Sequence, residues 1–238
     1  YIDKTGTIVI NLQFDYAGDF FEGLAEVMIG DFQTGKWGYI DKTGTIVISQ
    51  RFDGAGEFHE DLALVRIGGK WGYIDKTGTI VISLQFDRAE EFSEGLAPVK
   101  IGDQWTGKWG YIDMTGKYVI NPQFDWAGNF HEGLAAMMIR DSGTPKCGYI
   151  DKTGKYVINP QFDGAGGFYE GLAAVRIGDK ETDKWGYIDK TGTIVINPRY
   201  DVAWGFSDGL ARVRIGDGET GKWGYIDTTG RYVWEPSN

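Results

Sequence analysis

Apolar residues along this chain come in short bursts broken by Gly, Asp and Thr, and nowhere do they keep a helical period over about ten or more positions. The pattern predicts strands and almost no helix. In Leu24-Ala25-Glu26-Val27-Met28-Ile29 the odd positions keep their class in every related segment, apart from Met137 in a Val place. The even positions do not: Glu26 and Met28 become Leu64 and Arg66, Pro98 and Lys100, Ala136 and Met138, Ala174 and Arg176, Arg212 and Arg214. Alternation of this kind predicts a strand with one fixed face and one free face turned to solvent, at an outer edge or rim.

The segment Lys36 to Ile48 reads as a hairpin, because Gly44 stands where a type I turn needs a residue at positive φ and Asp41 can close that turn through its carboxylate. The register expected from this turn sets Ile40 opposite Ile46, Gly38 opposite Ile48 and Tyr39 opposite Val47, with Trp37 beside Tyr39. Both faces are then apolar, and a strand pair buried on both sides lies between two layers. The stretch from Asn121-Pro122-Gln123 to Phe130 carries a Pro and an Ala-Gly pair, so it is expected to be a connection or a short edge strand.

These segments recur. Tyr-Ile-Asp-x-Thr-Gly begins at Tyr1, Tyr39, Tyr73, Tyr111, Tyr149, Tyr187 and Tyr225, at spacings of 38, 34, 38, 38, 38 and 38. Six full units follow (1–38, 39–72, 73–110, 111–148, 149–186, 187–224), with a partial unit at 225–238. Three or four short strands per unit match radial repetition. The expected fold is an all-β repeat protein, a β-propeller of six or seven blades, with an open β-solenoid as the rival. Seven hairpins against six Leu-Ala-x-Val strands leave the blade count open. Tyr1 falls inside a unit with no basic segment and apolar run after it, so a leader is expected to be absent or removed and the array to begin upstream.

Composition narrows the function classes. With 24 Lys+Arg against 34 Asp+Glu the formal charge is −10, which argues against nucleic acid as partner. No apolar run approaches the roughly 20 residues of a membrane helix, so no membrane insertion is expected. A single cysteine, Cys147, excludes an internal disulfide.

Gly-Lys-Trp-Gly-Tyr-Ile-Asp-Lys-Thr-Gly, whole at Gly35 to Gly44 and again at Gly69 to Gly78, together with the recurring Glu-Gly-Leu-Ala box, resembles the bacterial WG (KWG) repeat family. The resemblance covers nearly the whole chain. It implies a bacterial β-repeat scaffold or binding module and says little about activity. The chain departs from the pattern at Cys147-Gly148, after Pro145, at Asp61 in the box, and at Trp234 where an Ile is usual.

No catalytic constellation stands out. The Asp of each Tyr-Ile-Asp is expected to close its turn. Glu22, Glu60, Glu94, Glu132, Glu170 and Asp208 are expected to meet a structural partner, a backbone N–H or the Lys of a neighbouring Lys-Trp-Gly. His59 and His131 share one slot two units apart, which predicts no metal site, and Cys147 is expected to fill part of a Trp's space. The loops 179–183 and 217–220 lack the EF-hand spacing and read as solvated turns. No cofactor is expected.

Positions where the copies disagree are the binding candidates. The slot after each Phe-Asp or Tyr-Asp holds Tyr16, Gly54, Arg88, Trp126, Gly164 and Val202, and Phe32, Trp105 and Trp204 stand outside the common pattern. Of these, Tyr16, Arg88, Trp105, Trp126 and Trp204 are the expected binding residues, since aromatics beside Arg build interfaces. The expected function is a non-enzymatic scaffold binding a protein, peptide or glycan. The alternative is a self-assembling structural protein, such as a bacterial surface filament or array subunit, joined through residues 225–238 by strand addition. An extracellular or cell-envelope location is the expected setting.

Overall fold

The computed structural model describes residues 1–31, 33–140, 143–178, 183–218 and 220–235. Phe32, loop residues 179–182 and 219, and the tail 236–238 lie outside the described residues. The chain forms two compact units, Tyr1–Tyr118 and Val119–Asn238.

The first unit holds sheet I, made of β1 (Tyr16–Ala17), β2 (Leu24–Ile29), β3 (Lys36–Asp41) and β4 (Ile46–Phe52). Sheet II follows with β5 (Gly54–His59), β6 (Leu62–Ile67), β7 (Lys70–Ile74) and β8 (Ile80–Phe86). Sheet III comprises β9 (Arg88–Ala89), β10 (Leu96–Ile101), β11 (Lys108–Asp113) and β12 (Tyr118–Phe124). In the second unit sheet IV is β13 (Trp126–His131), β14 (Leu134–Ile139), β15 (Lys146–Asp151) and β16 (Tyr156–Phe162). Sheet V is β17 (Gly164–Tyr169), β18 (Leu172–Ile177), β19 (Lys184–Asp189) and β20 (Ile194–Tyr200). Sheet VI is β21 (Val202–Ser207), β22 (Leu210–Ile215), β23 (Lys222–Asp227) and β24 (Tyr232–Trp234). Each sheet runs in chain order, and the described residues contain no helix. Each takes its first two strands from one sequence unit and its last two from the hairpin of the next.

Seven hairpins and six Leu-Ala-x-Val strands therefore give six four-stranded sheets. The first hairpin, closed by the Ile2–Ile8 bridge, stands outside them. Its Ile10 packs with Ala25, Val27 and Ile40 of sheet I, and Gly44 rests on Ile10 as Gly78 of sheet II rests on Ile48. The hairpin thus covers sheet I as the outer strands of sheet I cover sheet II.

The turn chemistry holds. Gly44 has φ 85°, its N–H donates to Asp41 O at 2.9 Å, and Asp41 Oδ1 accepts from Thr43 N and Thr43 Oγ1 at 2.8 and 2.6 Å. Beyond the turn the expected register is corrected. Ile40 faces Ile46, but Tyr39 faces Ile48 rather than Val47, because the register shifts between Tyr39 and Ile40 and again between Trp37 and Tyr39. The second shift brings the β4 backbone over Gly38, where a Cβ would lie 2.8 Å from Gln50 N. The glycine of Trp-Gly is there because a strand crosses too close for any side chain. The hairpin is also not buried throughout: Tyr39, Ile40 and Ile48 are covered, whereas Ile46 and Val47 stay exposed.

The free face of the Leu-Ala-x-Val strand is not at the rim. This strand is second in its sheet, and Glu26, Met28, Leu64, Lys100, Ala136 and Ala174 are all buried, while the constant Ile29 is 48% exposed. Variation at these positions reflects different neighbours, not solvent. The Pro-bearing stretch splits in two. Pro122, Pro160 and Pro198 sit in β12, β16 and β20, the edge strands of their sheets, where a missing N–H costs no ladder bond. The residues after Phe-Asp open the next sheet.

Within each unit, cores lie between consecutive sheets. Tyr39, Ile48 and Phe52 of sheet I interlock with Phe58, Ala63, Val65 and Ile74 of sheet II, and in the second unit Tyr149, Ile158 and Phe162 do the same with Phe168, Ala173, Val175 and Ile188. Burying each such side chain contributes about 1.5–3 kcal/mol. The Tyr hydroxyls pin the layers: Tyr39 donates to Gly56 O, Tyr73 to Glu90 O, Tyr149 to Gly166 O and Tyr187 to Trp204 O, at 2.7–2.8 Å.

Candidate functional site

The repeated charges are committed to the frame. Asp3, Asp41, Asp75, Asp113, Asp151, Asp189 and Asp227 each accept from the Thr two residues on, and these bonds hold every one of the carboxyls below the usual range. The Glu set reaches into the next sheet's turn: Glu22 accepts from Asp61 N, Glu60 from Gly95 N, Glu132 from Gly171 N and Glu170 from Gly209 N, at about 3 Å. Their lysines are Lys76 and Lys190, from Tyr-Ile-Asp-Lys. The Lys of Lys-Trp-Gly, expected in that role, instead pairs with the Asp of Phe-Asp or Tyr-Asp, as in Lys70–Asp87 at 2.7 Å and Lys184–Asp201 at 2.5 Å, and Lys146 before Cys147 does the same with Asp163. That Asp also receives a backbone N–H from the loop beyond, for example Gly102 N at 2.9 Å on Asp87.

The five expected binding residues occupy separate places. Tyr16 in sheet I packs at a tilt against Trp37, centroids 5.1 Å apart. Arg88 opposes Lys100 in sheet III and edges a recess of about 200 Å³ with Asp103 and Gln104. Trp105 is 85% exposed on the turn closed by Asp103. Trp126 in sheet IV opposes Met138 and lies across Gly128. Its neighbour on the far side of Met138 is Cys147, buried where other sheets keep Trp. A large ring in the first strand thus accompanies a small residue in the third, the inverse of Gly164 beside Trp185. Burial pushes the Cys147 thiol up, away from the thiolate a nucleophile requires.

Trp204, 56% exposed on β21, belongs to a built cleft. A cavity of about 310 Å³ is lined by Gly166, Gly167 and Tyr169 of β17, Trp185 of β19, and Trp204 and Gly205 of β21. The slot of Gly167 and Gly205 carries Asp19, Glu57, Glu91 and Asn129 in the other sheets. Two rings occupy the room the glycines leave: a Cβ on Gly167 would meet His131 Cδ2 at 2.8 Å, and one on Gly205 would meet Tyr169 Cδ2 at 2.6 Å. His131 and Tyr169 stack at 4.7 Å, with Tyr169 Oη 3.2 Å from His131 Nε2. The Arg212 guanidinium lies 3.9 Å from the Trp223 ring centre and 5.9 Å from that of Trp204, a cation–π arrangement that orients the indole. The cleft therefore offers rings and a backbone floor, with no paired acid and base among its lining residues. Of its residues only Trp204 stood out in the sequence. Tyr169 shares the slot of the two histidines, and the glycine pair was visible as the break in an otherwise polar slot.

A larger cleft of about 880 Å³ in the same unit is lined by Met138, Lys146, Asp163, Arg176 and Asp183. Its charges are spent on each other, Lys146 on Asp163 and Arg176 on Asp183 at 2.5 and 2.9 Å. Among the described residues no three His, Cys, Asp or Glu converge to hold a metal ion.

The fold is that of solved β-propellers. The β-propeller domain of the Trilobed protease from Pyrococcus furiosus superposes with a TM-score of 0.55 at 13% identity, over 91% of this chain and 82% of that one. Prolyl oligopeptidase B from Galerina marginata gives 0.59 at 11% identity, over 92% of this chain and 40% of that one. The acylaminoacyl peptidase of Pyrococcus horikoshii gives 0.55 at 11%, over 92% and 46%. The chain thus spans less than half the length of these two peptidases, and at such identities the likeness is one of fold. No curated protein matches the sequence. The model of the WG containing repeat matches six times, at residues 1–31, 37–71, 71–105, 109–141, 148–180 and 185–218. Matches at this periodicity over most of the chain, in six sheets of one topology, place the protein in the WG repeat family.

Proposed function

We propose that the protein is a non-enzymatic binding module that takes a segment of a protein, peptide or glycan into the cleft of Tyr169, Trp185 and Trp204. The observation that carries this reading is the pair Gly167 and Gly205, which opens a floor between sheets V and VI where the same slot elsewhere bears a side chain. Exposed rings over a backbone floor give apolar contact area with hydrogen-bonding edges, the combination that small binding sites use. The repeated carboxylates each serve a turn, and the residues lining the cleft include no paired acid and base.

Peptide and glycan arrays followed by calorimetry test the reading. Trp204→Ala and Tyr169→Ala are expected to weaken any ligand found by at least about tenfold, and unchanged affinity in both variants would overturn it. One observation favours a second reading, self-assembly through the last hairpin. Tyr225 is 37% exposed where Tyr39, Tyr73, Tyr111, Tyr149 and Tyr187 are fully buried, and Trp234 beside it is also exposed. A mass that rises with concentration in the same samples, and returns to monomer in Trp234→Ser, would favour assembly over ligand capture.

A further inference from the structure

The slot that is glycine in the cleft is acidic in the first unit: Asp19 on the loop after β1, Glu57 on β5 and Glu91 before β10. Sheet I adds Glu26, the only acid at its position in the Leu-Ala-x-Val strand. Glu26 is 7% exposed. Its carboxylate lies against the Gly18 backbone, with Oε1 in the space a Cβ there would need. Oε2 is buried without a hydrogen-bond partner. A buried, unanswered carboxylate oxygen costs free energy, and its surroundings add to the cost. The charges acting on Glu26 are Glu57 and Asp19, both negative. The phenols nearby are already committed, Tyr1 to Gly18 O at 2.6 Å and Tyr39 to Gly56 O at 2.8 Å. His59 lies 3.3 Å from Glu57.

From this arrangement we infer that Glu26, Asp19 and Glu57 form a receptor for an organic cation, the alkylammonium or guanidinium group of a ligand. Asp19 is exposed and Glu57 half-buried, so these two meet the cation first; Glu26 Oε2, closed to solvent where the carboxylate lies against Gly18, accepts from it once the side chain turns away from that backbone. An N–H donor suits the site better than a metal ion. Ammonium and guanidinium groups carry several donors that reach separate oxygens at about 2.7–2.9 Å, whereas a divalent ion draws its ligands to one centre at about 2.0–2.6 Å. This receptor lies in sheets I and II and is independent of the aromatic cleft.

Burial, then the charges of Glu57 and Asp19, push Glu26 up to about 7. A bound cation reverses that shift, so binding is expected to tighten from pH 6 to pH 8. The titratable groups facing Glu26 are Asp19, Glu57 with its partner His59, and the phenols of Tyr1 and Tyr39, which burial pushes further up and so keeps protonated across this range.

The test is calorimetry of the full chain with an acetylated trilysine amide and with free spermidine, at pH 6 and 8, against a triglutamate control and CaCl2. Saturable binding of either amine that is tighter at pH 8, and weakened at least about tenfold by Glu26→Gln and by Glu57→Gln, supports the inference. Peptide without spermidine identifies a protein-borne cation, and the reverse identifies a free polyamine. Binding of neither, binding unaffected by both variants, or calcium competing at equal strength overturns it. Carboxyl 13C titration of the unsubstituted protein gives a second readout: saturating amine must lower the Glu26 midpoint, and an unmoved midpoint also overturns the receptor.

Discussion

Sheets I and II of the first unit and sheets V and VI of the second are built on one plan and lined with opposite chemistry. In both regions a Tyr from the third strand donates to a carbonyl of the next sheet's first strand, a Phe packs beneath it, and a Trp-Gly glycine lets the fourth strand cross. The lining differs at a few positions. Asp19 and Glu57 in one region stand where Gly167 and Gly205 stand in the other, Glu26 where Ala174 stands, and Phe21 where Tyr169 stands. The first lining repels anions and leaves a buried oxygen unanswered; the second is a neutral aromatic cleft. The comparison teaches that the repeat holds its backbone through residues that vary little, and that the lining chemistry changes at the few positions the frame does not use.

The largest effect separates frame from lining. Gly72→Ala and Gly186→Ala each place a Cβ against backbone, 2.5 Å from Ile82 O in one and 2.7 Å from Pro198 N in the other. Backbone in a paired strand cannot swing aside as a side chain can. Both variants are expected to lose about 3 kcal/mol or more in urea unfolding, and by similar amounts. A tolerant Gly186 beside an intolerant Gly72 would break the claim that the two regions share one frame.

That frame was legible in the sequence because its devices recur at fixed spacing. The Thr-Gly turn, the seven tyrosines and the Leu-Ala-x-Val strand led to an all-β propeller, and the six sheets bear this out. The register slip was not legible, since nothing in Trp-Gly-Tyr says which strand crosses over the glycine. The buried face of β2 was misread because variability was taken for exposure; Glu26 and Met28 vary with the residues they meet in β1 and β3, not with solvent. The cleft was half visible. Trp204 stood out as an unpatterned aromatic, while Gly167 and Gly205 passed as two more glycines in a glycine-rich chain. Glu26 could have been found as the one acid at its position.

The next effect sharpens the contrast in lining. Glu26 holds its proton more tightly in the folded chain than the ordinary 4.5 of the unfolded one, with a folded value of about 7. Its contribution to stability is therefore complete below about 4.5 and is lost as pH rises through about 7, where the buried carboxyl must ionise. Glu26→Gln removes that dependence. The variant is expected to match the unsubstituted protein near pH 5 and to exceed it by about 1–2 kcal/mol near pH 8.5, a figure reduced for partial solvent screening. Ala174→Gln, at the same position in sheet V, should show no such pH dependence. Thermal unfolding across pH 5–9 checks both.

The smallest effect concerns the tyrosine pins. Tyr73 and Tyr187, one in each region, donate to Glu90 O at 2.7 Å and to Trp204 O at 2.8 Å, and both rings are fully buried. Replacing either by Phe leaves the ring packing in place and removes one hydrogen bond, so the expected loss is about 1 kcal/mol in each. Tyr225 holds the same position in sheet VI, but its ring stacks on Trp234 and is 37% exposed. Water replaces a lost contact there, and Tyr225→Phe is expected to change stability by no more than about 0.5 kcal/mol. If Tyr225→Phe instead costs as much as Tyr187→Phe at high protein concentration and nothing on dilution, the Tyr225 hydroxyl is being covered by a second molecule. The comparison between buried and open pins would then report on assembly through the last hairpin.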